Sequence, residues 1–570
     1  MQSLYHSCFL LLLYLSFYSC QKERVYAEIL YINGNIYTVD SLLPSATVVA
    51  VSNNRFLGVG NQALINEFKG PQTKVIDLKN AFVMPGFIEG HGHFGGFGEG
   101  LQNLNFLHVE SWEEIVNMVE KKVRSAKPGE WIVGRGWHQE KWKDAPKKNV
   151  LGYPFHDDLS AISPNNPVLL RHASGHALFA NESAMRAAGI SREMPDPMGG
   201  EIVRDLNGDA IGVFEERAMG LVSRSYQEYL KSLNPAELKK IWFQGLELAQ
   251  RECLKYGITS FQDAGTKLNE LNWLREWAES GNMDIRLWVM IRESFDGMNG
   301  KLDGFPWINL GDYHLSVRAI KSEVDGALGA FGAWLLKPYA DKYGFTGQNT
   351  TPLEEVDNIA SLAVKHQLQF CVHAIGDRAN KEVLDIFEQR ISSMKGKSSP
   401  RWRMEHAQHL DTLDIPRFKK LGIIASMQGI HCTSDAPFVV KRLGYERART
   451  GAYPWRSLLD NGALIANGTD VPVEEIDPIA CFYASVTRKR MDNGFEFFPE
   501  QRMTRQEAIA SYTLWNAFAA FEEQDKGSIS VGKLADFVVL SNDLSTCSDE
   551  DILKTKVLMT VVGGAVKYKN

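Results

Sequence analysis

Hydrophobic and polar positions divide this chain into two styles. Residues 26–84 carry short runs rich in β-branched and aromatic side chains: Ala27 to Ile32, Asn35 to Val39, Thr47 to Val51 and Phe56 to Val59. Asn33-Gly34 and Asn53-Asn54 separate them, and such pairs are hairpin signals. The far end repeats the style with Asp536 to Leu540, Val557 to Val562 and, after Gly563-Gly564, Ala565 to Tyr568. The pattern predicts one small β-sandwich assembled from both ends, residues 26–84 plus 523–568.

The middle, residues 85–522, alternates apolar strands with helical stretches, the pattern of a parallel sheet wrapped by helices. Eight strand candidates are Phe87 to His93, Ile258 to Asp263, Ile285 to Ile291, Leu315 to Lys321, Leu368 to His373, Arg401 to His406, Ile423 to Gln428 and Leu464 to Asp470. Eight closes a (β/α)8 TIM barrel. Between the first and second lies a stretch of about 160 residues, roughly 95–255, far longer than an ordinary connection. It is expected to be a folded insertion over the barrel mouth, a lid and specificity element carrying Trp137 and His176 as candidate substrate-binding residues.

Size and composition add three constraints. With 570 residues, 44% of them apolar, the chain can bury a large core and form more than one domain. A net charge of −7 without a basic stripe argues against nucleic acid as a partner. Of seven cysteines, Cys8 and Cys20 lie in the first 20 residues; the other five are scattered, without zinc-type spacing, and most read as small buried apolar residues. The apolar run Phe9 to Phe17 is too short to span a bilayer but suits a signal peptide. It ends in Phe17-Tyr18-Ser19-Cys20, which resembles a bacterial lipobox, although residues 1–8 lack Lys and Arg and Tyr18 is bulky for its place. Residues 1–20 are therefore expected to be processed, with Cys20 lipidated; plain secretion and a cytosolic chain are the alternatives. The protein would then be exported, periplasmic or membrane-anchored through lipid in a bacterial envelope.

The candidate chemistry sits where strands end. In Pro85-Gly86-Phe87-Ile88-Glu89-Gly90-His91-Gly92-His93, a strand's period of two puts both imidazoles on one face. Two such histidines suit a metal; the alternative is a Gly-rich turn with two solvated side chains. Five of the eight strands end on a possible ligand: His91 and His93, Lys321, His373, His406 and Asp470. Catalytic residues of such barrels occupy the carboxyl ends of the strands. For Lys321 the alternative is an ion pair with Glu323 or Asp325, and for Asp470 a cap on the next helix.

These motifs, in this order, resemble the amidohydrolase superfamily, in the branch that includes N-substituted formamide deformylase. The resemblance runs over roughly residues 26–568. It rests on Pro85 to Ile88 with His91-Gly92-His93, on Lys321 through Asp325-Gly326-Ala327-Leu328-Gly329, and on His373-Ala374-Ile375-Gly376-Asp377. Glu405-His406-Ala407-Gln408, Gly468-Thr469-Asp470 and the tail from Lys526-Gly527 to Ala535-Asp536 complete it. It implies a divalent metal at His91 and His93 and a second at His373 and His406, zinc by donor type. It also implies that Lys321 is carboxylated and bridges the two, and that Asp470 is both ligand and proton shuttle. His176 and His431 become candidates for binding a substrate carbonyl, each with a structural histidine as the alternative. Relatives often have acidic residues where this chain has His138 and Ser174.

The implied activity is hydrolysis of a non-peptide, amide-like C–N bond in a small molecule. Related deaminases carry Glu at the position of Gly376, which argues against nucleobase deamination. The rival readings are a hydrolase of cyclic amides or esters and a non-catalytic metal-containing solute-binding protein. The motifs say nothing of oligomeric state.

Overall fold

The computed structural model describes residues 25–570 except 108, 140, 141, 173–176, 198, 199, 330 and 395–398. The leader with Cys20 lies outside the described residues, as do Ser174 and His176. Among the described residues, no helix is long and apolar enough to cross a membrane.

Eight parallel strands follow one another in chain order around a barrel: Phe87–Gly92, Ile258–Thr266, Arg286–Ile291, Leu315–Glu323, Gln369–Ala374, Arg403–His406, Ile424–Gln428 and Leu464–Gly468. They coincide with the eight runs expected from the sequence, to within a few residues at each end. The barrel closes where strand eight meets strand one. A Cβ on Gly90 would lie 2.4 Å from the carbonyl oxygen of Asn467, and one on Gly468 would lie 2.5 Å from the nitrogen of His91. Only glycine permits that approach. Asn516 staples the seam, its side-chain amide donating to the carbonyls of Ile88 and Asn467 at 2.7 Å each.

The ends of the chain form two sheets. One, ordered Arg55–Gly60, Val48–Ser52, Ile29–Ile32, Lys74–Asp77, comes entirely from the N-terminal segment. The other runs Ala565–Lys569, Val557–Val562, Phe537–Leu540, Phe82–Pro85, Asn35–Tyr37, Ser45–Ala46 and so interleaves both segments. A shared apolar cluster joins them, with Tyr31, Val49, Phe56, Val83, Phe537 and Val561 buried together. Strand Phe82–Pro85 then runs straight into barrel strand one, so the sandwich sets the entry angle of His91 and His93. A buried two-toothed ion pair, Arg286 to Asp536 at 2.7 and 3.0 Å, fixes the returning tail to barrel strand three.

The long stretch after strand one differs from the expected single lid. Its last helix, Pro235–Lys255, starts with Asn234 accepting from the Glu237 N–H and Pro235 in the first turn. Leu246, Ala249 and Cys253 of this helix belong to the barrel's own core, with Phe94 and Phe97 of helix Phe94–Gln102. The inserted body lies between these helices. It has a six-stranded sheet, ordered Gly200–Arg204, Ala210–Glu216, Ala177–Ala180, Val168–His172, Ile132–Trp137, Leu104–Asn105, and its own apolar clusters.

Candidate metal centre and active site

The strand-end residues converge. His91 and His93 have ring centroids 5.7 Å apart, His91 and His406 4.7 Å, and His373 and His406 4.4 Å. Asp470 follows strand eight and brings Oδ1 to 3.6 Å from Nε2 of His91 and 3.3 Å from Nε2 of His93. The helix after this loop is capped by Asp477, not by Asp470. Lys321 ends buried inside the barrel and lines the same cavity of about 350 Å³ with His93, His373, His406, His431 and Asp470. Its alternative partners are engaged elsewhere: Glu323 pairs with Arg292, and Asp325 accepts from the N–H groups of Trp334, Ile375 and Gly376.

Two of these residues sit in left-handed backbone, His406 at φ 73° and Asp470 at φ 62°. Such conformations cost energy for residues other than glycine and concentrate at functional sites. A strict period of two would put the His406 side chain on the face of Met404, toward the helices. The strand stops there instead, and the imidazole lies against His373.

The electrostatics favour neutral imidazoles around an anionic carboxylate. Burial lowers His91 to about 4 and His373 to about 3, and carries His406 well below the ordinary range. Burial also lowers the Lys321 amine. For Asp470 burial acts upward, but His93 beside its Oδ1 and the other surrounding imidazoles hold it well below the usual carboxylate range. Burial pushes Glu89 up to about 8 and Asp325 up to about 7.

The residues fit a cation. Nε2 of His91 and of His373 and Oδ1 of Asp470 are buried without a hydrogen-bond partner. Ligand atoms of His91, His93 and Asp470 lie within 4.8 Å of one another, as do those of His406, His431 and Asp470. Neutral imidazole nitrogens and a carboxylate oxygen, desolvated and unpaired, are what a divalent metal requires. His373 differs from expectation in its nearest anion: its Nε2 is 3.7 Å from Asp325 Oδ1.

Trp137 is corrected. It lies in the insertion's own core, 1% exposed, packed against Trp142, Tyr153 and Phe179, with its indole N–H donated to the Leu170 carbonyl at 2.9 Å. A side chain so used by its own sheet does not face a substrate.

The sequence reading left several residues unassigned. Glu405 accepts from His91 Nδ1 and is gripped by Arg403. Gln428 Oε1 lies 2.8 Å from His406 Nδ1, and Gln408 Nε2 lies 3.0 Å from His431 Nδ1. A signal did exist: in Arg401-Trp402-Arg403-Met404-Glu405 charged and apolar residues alternate on a strand covered on both faces, where parallel strands are ordinarily apolar throughout.

Comparisons with known proteins agree with the geometry. The pattern described as the amidohydrolase family matches residues 74–568. The chain is 33% identical over 561 residues to the protein LONG AFTER FAR-RED 3 of Arabidopsis thaliana, covering 95% of this chain and 92% of that protein. It is 28% identical over 553 residues to N-substituted formamide deformylase of Arthrobacter pascens, covering 95% and 98%. Among solved structures, an uncharacterized metal-dependent hydrolase from Pyrococcus horikoshii OT3 superposes with a TM-score of 0.74 at 25% identity, covering 92% of this chain and 99% of that one. With this barrel and this convergence of histidines, the chain belongs to the amidohydrolase family of metal-dependent hydrolases.

Proposed function

We propose that this hydrolase cleaves a non-peptide C–N bond, an amide or formamide-like group in a small molecule. One observation carries the proposal: unpartnered imidazole nitrogens and the Asp470 oxygen meet at the floor of a single cavity. The 28% identity to N-substituted formamide deformylase points to the same bond type.

His91, His93 and Asp470 would hold one divalent cation and His373 and His406 a second, with Lys321, as a carbamate, a ligand shared by both. Zinc suits this nitrogen-rich set. When bound, the metal supplies Lewis acidity and an activated water at neutral pH. Asp470 takes a proton from the attacking water and returns it to the leaving nitrogen.

His431 has a different role from a ligand. Gln408 donates its amide N–H to Nδ1, which fixes a hydrogen on Nε2, and that N–H faces the cavity 3.8 Å from Asp470 Oδ2. In this reading it donates to the substrate's carbonyl oxygen as charge develops there. His176 is proposed as a second such donor from the insertion. At Gly376 a Cβ would meet the Trp334 carbonyl oxygen at 2.1 Å, so there is no room for the acidic side chain a deaminase would place there.

A second cavity of about 480 Å³ adjoins the first, and both are lined by Val473 and Glu474. Phe97, Leu101, Leu107 and Val471 give it an apolar wall, suited to the larger substituent of the substrate. We further propose that the chain is exported, with the first 20 residues as its leader and Cys20 as a lipid anchor.

The test is a screen of zinc-loaded protein against N-formyl, N-acyl and cyclic amides and matched esters. Turnover of N-formyl or N-acyl amines is expected. Turnover of esters or cyclic amides alone, or zinc binding without any turnover, would overturn the assigned bond type.

A further inference from the structure

Beneath the cavity floor an arginine and a glutamate are sealed inside the barrel. Arg403 and Glu405 are both 0% exposed. Arg403 donates through Nε to Glu405 Oε1 at 2.7 Å and through Nη2 to Oε2 at 3.1 Å. Nη2 also reaches the Gly90 carbonyl at 2.7 Å and Ser426 Oγ at 2.8 Å, and Nη1 donates to Gln262 Oε1. Glu405 Oε2 also accepts from the Nδ1–H of His91.

Fold stability alone is a weak reason for this arrangement. A buried ion pair recovers little more than the cost of desolvating its charges, and apolar residues of similar volume often do as well. Orientation is the better reason. A carboxylate clamped by arginine can only accept, so His91 must carry its hydrogen on Nδ1. Its Nε2 lone pair is then free, and that atom is buried without a hydrogen-bond partner 3.6 Å from Asp470 Oδ1. The same guanidinium grips the backbone of Gly90, the residue before His91. Strands one, two, six and seven are thereby held in one network around one imidazole.

We infer that Glu405, backed by Arg403, is a positioning residue for the metal: it commits His91 to the Nδ1–H tautomer and presents Nε2 to the cation. This rests on His91 being a metal ligand, as proposed above. Loss of such an outer partner typically weakens metal affinity about 10–100-fold.

The experiment uses the full chain stripped of metal, in wild type, Glu405→Gln and the charge-free pair Glu405→Gln with Arg403→Met. Zinc affinity is measured by competition with a chromogenic chelator, and melting is followed without metal. The tautomer of His91 is read from nitrogen-15 shifts in histidine-labelled wild type, the signal being assigned by its loss in His91→Gln. The expected result is an Nδ1–H His91 in wild type and zinc affinity reduced about 10–100-fold in the variants, with metal-free melting within a few degrees of wild type. Glu405→Gln binding zinc as tightly as wild type would overturn the inference. So would an Nε2–H tautomer in the wild-type protein, a reading that stands even if both variants fail to fold. Wild type that binds no zinc would remove the metal reading itself, and this inference with it.

Discussion

Asp470 donates its backbone N–H to the carbonyl oxygen of His91 over 2.7 Å, and His93 returns a bond of 2.7 Å to the Val471 carbonyl. The barrel's closing seam and its ligand cluster are therefore the same piece of structure. The left-handed turn at Asp470 swings the carboxylate in beside both imidazoles.

From that placement, Asp470→Asn should separate proton transfer from metal binding. The amide keeps the shape and one acceptor oxygen but cannot accept a proton at neutral pH. We expect kcat to fall on the order of a hundredfold or more, with metal largely retained by elemental analysis. A variant that holds metal and turns over like wild type would remove Asp470 from the proton path.

Gly468→Ala should spread the seam. Its new methyl would lie 2.4 Å from Glu89 Oε1 and 2.5 Å from the His91 nitrogen, and overpacking of this kind costs about 1–3 kcal/mol. Because the displaced backbone belongs to His91, metal affinity should fall together with stability. Denaturation midpoints with and without zinc would show both losses; a midpoint equal to wild type would contradict the seam geometry.

Lys321 tests the bridging carbamate. Burial lowers its amine, which favours the neutral form that captures carbon dioxide. Lys321→Ala should lose activity on the order of a hundredfold as the bridge is lost. Short carboxylic acids should restore part of it by supplying two oxygens in its place. Full activity without added acid would end the bridging role.

His409 predicts an acid sensitivity away from the metal. It is 2% exposed, both ring nitrogens lack hydrogen-bond partners, and burial lowers it from 6.5 to about 3. Its folded form resists protonation while the unfolded chain accepts a proton. Its contribution is therefore complete above pH 6.5 and is lost as pH falls from 6.5 toward about 3. At pH 5 this single group should cost about 2 kcal/mol relative to pH 7. His409→Phe should show that much less destabilisation between the two pH values in denaturant titrations; an unchanged difference would exclude His409 as the source.

For the leader, wild-type protein made in a bacterial host should carry acyl chains by mass spectrometry and sediment with membranes. Cys20→Ser should lose both. Equal membrane association in the two proteins, without an acyl mass in wild type, would exclude the anchor.

The sequence alone was enough to locate the strands, and hence the residues at their ends. Period-two and apolar runs are local properties: Phe87 to His93 or Leu464 to Asp470 can be read without knowing a neighbour, and a barrel gathers strand ends at one mouth. The same logic located the β-rich termini. Tertiary structure decided everything that depends on which distant segments face each other. Trp137 looked available for a substrate until its sheet buried it and tied its indole N–H to the Leu170 carbonyl. Glu405 stood beside His406 without a role of its own, because its partner, His91, is brought to it only when the barrel closes. Gln408 fixes the His431 tautomer only because the loop after strand six packs against the helix after strand seven. Chain-local hydrophobicity determines what can be a strand; register and closure determine which side chains meet, and hydrogen-bond partners set the tautomers on which the chemistry depends.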